Sequence, residues 1–308
     1  MKFIDADATR AALPFDRLVP ALRTMFINGC EVPPRQVHDI GGATSLVMPA
    51  WQPGRYYGLK VVNVAAGNAA RGLPGLHSIY LLFDATTGAP LAQIDGDEIT
   101  ARRTAAASAL AGSMLARRDA QRLLVVGAGR VAGLLPSAYR SVLDIRTVQV
   151  WARNAAKAQA LVETLHRSGI AARAVGGSVP DVGAADIVSC ATLATEPLVQ
   201  GQALVPGSHL DLIGSFTPQM READDACFAD GAGLYIDTAE ALRKSGDLLG
   251  PLGRGVFAEA QVRGTLADLC RGNTGGRRNA EERTVFKSVG SALEDLAAAI
   301  LAYESGSA

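Results

Sequence analysis

Net charge is the first thing this 308-residue sequence lacks: 30 Lys and Arg balance 30 Asp and Glu. A protein that lives on nucleic acid or an anionic membrane needs a positive field, so the balance argues against both partners. Long apolar runs are missing as well, and none approaches the roughly 20 residues of a membrane span. The first ten residues, MKFIDADATR, carry acids early and no apolar core segment, which reads as no secretory signal and as a cytoplasmic protein. Cysteine is scarce: Cys30, Cys190, Cys227 and Cys270 stand far apart without a CxxC pair, as expected of reduced thiols. His38, His77, His166 and His209 are equally dispersed, no HExxH or Cys/His cluster occurs, and no metal site is expected. A GxSxG elbow and a Walker GK[ST] are both absent, which removes two common hydrolase and NTPase readings. What remains is 48% hydrophobic and 19% charged, enough for a real core and against disorder. Glycine is the one excess, with 33 residues against a usual share of roughly 7%.

The pattern along the chain changes once. Residues 1 to about 30 read as helix-rich, with Leu18, Leu22, Met25 and Phe26 at helical spacing. From Gly41 to Ile94 short β-like runs (SLVM, GLKVVNV, HSIYLLFD) alternate with turn segments, which suggests an antiparallel or mixed sheet. An alanine-rich helix follows over about Glu98–Arg117. At Arg122 strands and helices begin to alternate, and apolar strands of that kind imply a parallel sheet covered on both faces. The last segment, TVFKSVGSALEDLAAAILAYE, reads as one long helix. The run Glu222-Ala-Asp224-Asp225 reads as a helix start, where acids complement the dipole.

Gly127-Ala128-Gly129-Arg130-Val131-Ala132 is a GxGxxA turn that leaves a buried strand and opens a helix. The first glycine permits the tight turn, the second lets backbone approach a pyrophosphate, and Ala132 allows close helix–strand packing. The second strand ends at Trp151-Ala152-Arg153-Asn154 without Asp or Glu. A carboxylate there would grip both ribose hydroxyls of NAD, whereas Arg153 can pair with a 2′-phosphate. The reading is a Rossmann dinucleotide-binding domain that prefers NADPH and accepts NADH. Thr192 and Leu193, and then Ile213 and Ser215, follow the next strands, where backbone commonly borders the cofactor.

Five further blocks, in order, carry a family resemblance with that turn: GLKVVNV, EITARRTAAASALA, ATLATEP, GSFTPQMREADD and TVFKSVGSALEDLAAA. With them the sequence resembles the ornithine cyclodeaminase/mu-crystallin family along nearly its whole length. The resemblance implies an α/β protein with the Rossmann domain (116–283) inserted into an α+β substrate and dimerisation domain (1–115, completed by a helix in 284–308). A homodimer is implied with it. It also implies that Arg35, Lys60 and Arg103 hold a substrate carboxylate, and that Arg103 and Thr104 border the cofactor. The residue types fit, since a guanidinium clamps a carboxylate bidentately and a lysine adds a point charge. Lys60 is persuasive by itself, because a charge inside an apolar strand needs a partner.

Two departures select among family members. Cyclodeaminases carry a glutamate before the (L/V)MP motif and an aspartate in the glycine-rich loop, and Leu46 and Phe216 stand there instead. Apolar side chains cannot hold a diamine cation or exchange protons, but they can pack against a ring. The resemblance is therefore nearest the Δ1-pyrroline-2-carboxylate/Δ1-piperideine-2-carboxylate reductases. It implies hydride transfer to the imine carbon, giving L-proline or L-pipecolate, with Lys60 at the substrate and His77 as the candidate proton relay. Three rival readings are an amino-acid dehydrogenase acting on alanine, ornithine cyclodeamination, and a mu-crystallin-like NADPH binder with little turnover.

Overall fold

The computed structural model describes residues 1–229 and 231–305. The chain divides into two compact units, Met1–Thr104 with the segment from Ser291 onward, and Ala105–Gly290. The first border lies before the expected 115/116 and the second after the expected 283/284, so the middle unit is larger at both ends, and the last three residues of the expected third segment fall outside the described residues.

The first unit begins with strand β1 (Lys2–Ile4) and helix α1 (Ala6–Ala12), which Asp5 caps by accepting from the Ala8 N–H at 2.9 Å. Helix α2 (Phe15–Asn28) follows and buries Leu18, Leu22, Met25 and Phe26 along one stripe, as their spacing predicts. Strands β2 (Gln36–Asp39), β3 (Thr44–Gln52), β4 (Tyr56–Val64), β5 (Leu76–Asp84) and β6 (Pro90–Asp95) join β1 in a sheet ordered β1-β6-β5-β4-β3-β2. Among the described strands of this sheet the β1–β6 pair alone is parallel, so the sheet is mixed. Helix α3 (Gly96–Leu115) leaves β6 directly and carries the chain across the border into the second unit. Alternation gives the sheet two different faces. One buries Met48, Ala50, Val62, Tyr80, Leu82, Ala92 and Ile94 beneath the C-terminal helix Ala292–Ser305. The other is apolar and only half-buried.

The second unit is an eight-stranded parallel sheet. Its strands are β7 (Arg122–Val126), β8 (Thr147–Trp151), β9 (Ala172–Ala174), β10 (Ile187–Cys190), β11 (His209–Leu212), β12 (Gly233–Ile236), β13 (Val262–Thr265) and β14 (Thr284–Lys287). Their order is β13-β12-β14-β11-β10-β7-β8-β9, and the direction of winding reverses between β7 and β10. Helix α4 (Arg130–Arg140) follows β7, and α5 (Ala155–Arg167) follows β8. Register aligns Val126 with Trp151 on one side and with Cys190 on the other, so these strands end level with one another. A crevice outside such ends is where α/β sheets bind ligands.

One expectation is corrected here. The terminal segment is not a single helix: Thr284–Lys287 is a buried strand between β11 and β12, and the helix starts only at Ala292. Four fully buried residues carry no periodicity by which a strand and a helix turn can be told apart.

Candidate active site

The glycine turn lies at the winding reversal. Gly127 has φ +127°, and a Cβ there would stand 2.6 Å from the Ala191 carbonyl oxygen, so the position admits only glycine. Gly129 is the N-cap of α4, and Ala132 is fully buried against the sheet as the motif requires. Arg130 and Val131 form the first turn of the same helix, exposed and half-buried respectively. A cavity of about 400 Å³ opens beside the turn, lined by Gly127–Gly129, Trp151–Asn154, Lys157, Ala191–Ala194 and Leu198. It brings together Gly127, Gly129, Arg153, Asn154, Thr192 and Leu193, six of the residues singled out from sequence. Asn154 caps α5 by accepting from the Lys157 N–H at 3.2 Å. Lys157 adds a second cation beside Arg153, and no acid is among the described lining residues. Lys157 went unnoticed in the sequence, although its place in the first turn after the ribose position was the available signal.

Ile213 and Ser215 follow β11 as expected, but both are buried. The Ser215 hydroxyl donates to Asp247 at 2.6 Å and lies 3.0 Å from the Lys287 ammonium. The run from Glu222 to Asp225 does lead into a short 3₁₀ turn, Asp225–Cys227, with Asp224 as its N-cap, but the Glu222 side chain serves elsewhere. It is fully buried and its carboxylate accepts backbone N–H groups, because the chain after β11 stays a loop whose donors must be satisfied internally.

In the first unit, Lys60 sits on β4 opposite Met48 and Tyr80 and is 1% exposed. Its ammonium lies 2.6 Å from the Asp295 carboxylate and donates to Thr100 Oγ1 at 3.3 Å. Arg103 on α3 donates to Asp295 at 2.9 Å and to Glu294 at 2.8 Å. Thr104 turns its hydroxyl to the Thr100 carbonyl at 2.7 Å. Glu294 and Asp295 come from the C-terminal helix, and sequence reasoning missed both, since acids in a first turn ordinarily face water. Burial, joined by the fields of Arg103 and Arg35 and opposed by Asp295, brings the Lys60 ammonium down to about 8. For Arg103 burial also lowers the value, but Asp295 and Glu294 outweigh it and hold the guanidinium above its ordinary range. Arg35 is half-buried at the start of β2, close enough for its charge to reach Lys60. The cluster thus gathers Lys60, Arg103 and the field of Arg35 about the carboxylates of Asp295 and Glu294.

Leu46 is half-buried on β3, two residues from Met48 and so on the same face as Lys60. Phe216, in the loop after β11, is 41% exposed in the second unit. His77 is corrected. It pairs with Asn63, three positions along from the Lys60–Tyr80 pair, an odd offset that sends its side chain to the opposite face of the sheet. There it is exposed, away from the cation cluster.

Parallel topology, winding reversal, glycine turn and crevice together define a dinucleotide-binding α/β protein. The chain belongs to the ornithine cyclodeaminase/mu-crystallin family, which it matches over residues 21–308. The Δ1-pyrroline-2-carboxylate reductase of Paracoccus denitrificans (strain Pd 1222) is 43% identical over 94% of this chain and 92% of its own length. Among solved structures, Thermococcus litoralis Δ1-pyrroline-2-carboxylate reductase in complex with NADH and L-proline superposes with a TM-score of 0.93. It is 31% identical over 99% of this chain and 97% of that one. An archaeal alanine dehydrogenase dimer with bound NAD gives a TM-score of 0.91 at 28% identity, covering 99% and 96%. Fold, crevice and family make the chain an oxidoreductase.

Proposed function

We propose that this enzyme reduces a small cyclic imine carboxylate, Δ1-pyrroline-2-carboxylate or Δ1-piperideine-2-carboxylate, to L-proline or L-pipecolate. The observation that carries the proposal is the buried pair Lys60 and Arg103, held in place by Asp295 and Glu294 and reached by the charge of Arg35, whose ammonium and guanidinium donors suit a carboxylate. Asp295 and Glu294 fix the directions of Lys60 and Arg103 in advance, so little ordering is left for the substrate to impose. Leu46 on the same face offers an apolar surface to a ring and no group for a second amine. The similarity to two Δ1-pyrroline-2-carboxylate reductases supports the same substrate class.

When bound, the reduced nicotinamide supplies the hydride that adds to the imine carbon, while the ring nitrogen takes a proton. The chain's own contribution is to orient: Lys60 and Arg103 hold the carboxylate, and the glycine turn holds the pyrophosphate. We assign a preference for NADPH over NADH, supported by Arg153 and Lys157 at the ribose end of a crevice without a described acid. A cytoplasmic homodimer completes the reading. The half-buried face of the first sheet supports it with rows Trp51–Tyr57–Phe83, Pro49–Leu59–Leu81 and Val47–Val61–Ile79, and so does the dimeric dehydrogenase.

Steady-state oxidation of NADPH and NADH with each imine, with pyruvate plus ammonia, and incubation with ornithine tests the proposal. It predicts turnover with the imines at the highest kcat/KM. Faster turnover with pyruvate plus ammonia would make the enzyme an amino-acid dehydrogenase, and ammonia release from ornithine would make it a cyclodeaminase.

A further inference from the structure

We propose that Glu222 is a positioning residue for the nicotinamide half of the cofactor, its carboxylate tying the loops after β10 and β11 into one wall of the crevice. The inference rests on dinucleotide binding and not on which imine is reduced. Glu222 Oε1 accepts from the Thr192 N–H at 2.7 Å and from the Thr192 hydroxyl at 2.8 Å. Its Oε2 accepts from the Gly214 N–H at 2.9 Å and the Ser215 N–H at 3.2 Å. The Glu222 carbonyl oxygen accepts in addition from Leu198 and Val199, both at 2.9 Å. One residue therefore joins three separate stretches of backbone.

Gly214 shows how close the approach is, since a Cβ there would collide with the Thr192 backbone and with Glu222 Oε1. Behind the carboxylate lies a second anchor. Asp247 accepts from the Glu222 N–H at 2.7 Å and the Ala223 N–H at 3.1 Å, and pairs with Lys287 at 3.0 Å. A buried carboxylate is costly unless its lone pairs are satisfied, and four donors satisfy this one. Burial and the neighbouring Asp247 push the Glu222 carboxyl upward while Lys287 and Thr192 hold it down.

The bracing is one-sided. Thr192, Ala194 and Leu198 line the cavity from the β10 side, whereas Gly127–Gly129 and Trp151–Asn154 line it from β7 and β8. In a doubly wound sheet the dinucleotide spans the reversal, so the β8 side takes the adenosine and the β10–β11 side takes the other half. No described hydrogen bond joins Glu222 to the adenosine side.

Fluorescence and calorimetric titration of Glu222→Gln against the wild type tests this, with NADPH, NADH and the adenosine fragment 2′,5′-ADP as probes. Glutamine keeps the size but presents an NH₂ group to backbone donors. The proposal predicts that both dinucleotides bind at least about tenfold more weakly, with 2′,5′-ADP within twofold. Dinucleotide affinity within twofold, or equal loss for all three probes, overturns it; the second outcome would mean general support of the fold. A wild type that binds no probe overturns the crevice reading and this inference with it. Hydrogen exchange on the wild type adds a readout that needs no variant. Amides of Thr192, Gly214 and Ser215 are predicted to gain protection with NADPH and not with 2′,5′-ADP, and the reverse result contradicts the proposal.

Discussion

Lys60 concentrates the argument at the scale of single residues. Burial brings its ammonium down to about 8, so in the free enzyme the charge is lost as pH rises through that value. The sign follows directly: carboxylate affinity is present below pH 8 and falls above it. KM for the imine is predicted to rise above pH 8, read from initial rates at saturating NADPH. Lys60→Ala should raise KM for the imine about 10- to 100-fold, as loss of a charge-assisted contact implies, and leave NADPH dissociation within twofold. Arg153→Ala should raise KM for NADPH by a similar factor and change KM for NADH less than threefold. Equal effects on both cofactors would remove the phosphate role. Lys60 was legible in the sequence because an ammonium amid GLKVVNV has no apolar explanation. Its carboxylate partner was not, because Asp295 lies more than 230 positions away on a helix whose facing only packing decides.

At the scale of elements, the strand–turn–helix unit at Gly127 was readable because each of its residues has a local reason to be there. Replacing Gly127 by Ala puts a methyl group 2.6 Å from the Ala191 carbonyl oxygen at a φ of +127°. Gly127→Ala is predicted to lower NADPH affinity by more than tenfold and to lower Tm, read by fluorescence titration and thermal melting. Other elements were hidden for definite reasons. The strand Thr284–Lys287 is too short and too buried to show alternation, and it runs on toward a helix of similar hydrophobicity. His77 was placed with Lys60 by residue type, but the register of β5 on β4 decides its face. Register is a long-range property that sequence spacing within one strand does not contain.

For the whole molecule, zero net charge and local cation sites are compatible, because 30 cations and 30 acids can balance overall while Lys60 and Arg103 are gathered in one buried cluster. The first sheet shows the same separation of scales. Its one face is filled by the chain's own helix, and the other offers Leu59, Leu81, Val61 and Ile79 half-buried or exposed. A second copy is the cover we assign to it. Light scattering should give twice the chain mass for the wild type, and Leu81→Lys should shift it toward the monomer. A wild type that remains monomeric at micromolar concentration would contradict that assignment.

The central claim, hydride delivery to the imine carbon of a cyclic imino acid, is tested most directly by isotope transfer. NADPH carrying deuterium on the transferred C4 position is incubated with Δ1-pyrroline-2-carboxylate and enzyme, and the product is examined by mass spectrometry. The expected product is L-proline one mass unit heavier, labelled at the α-carbon, with one NADPH consumed per proline. NADPH oxidation without labelled proline, or neither proline from this imine nor pipecolate from its six-membered homologue, would contradict that claim.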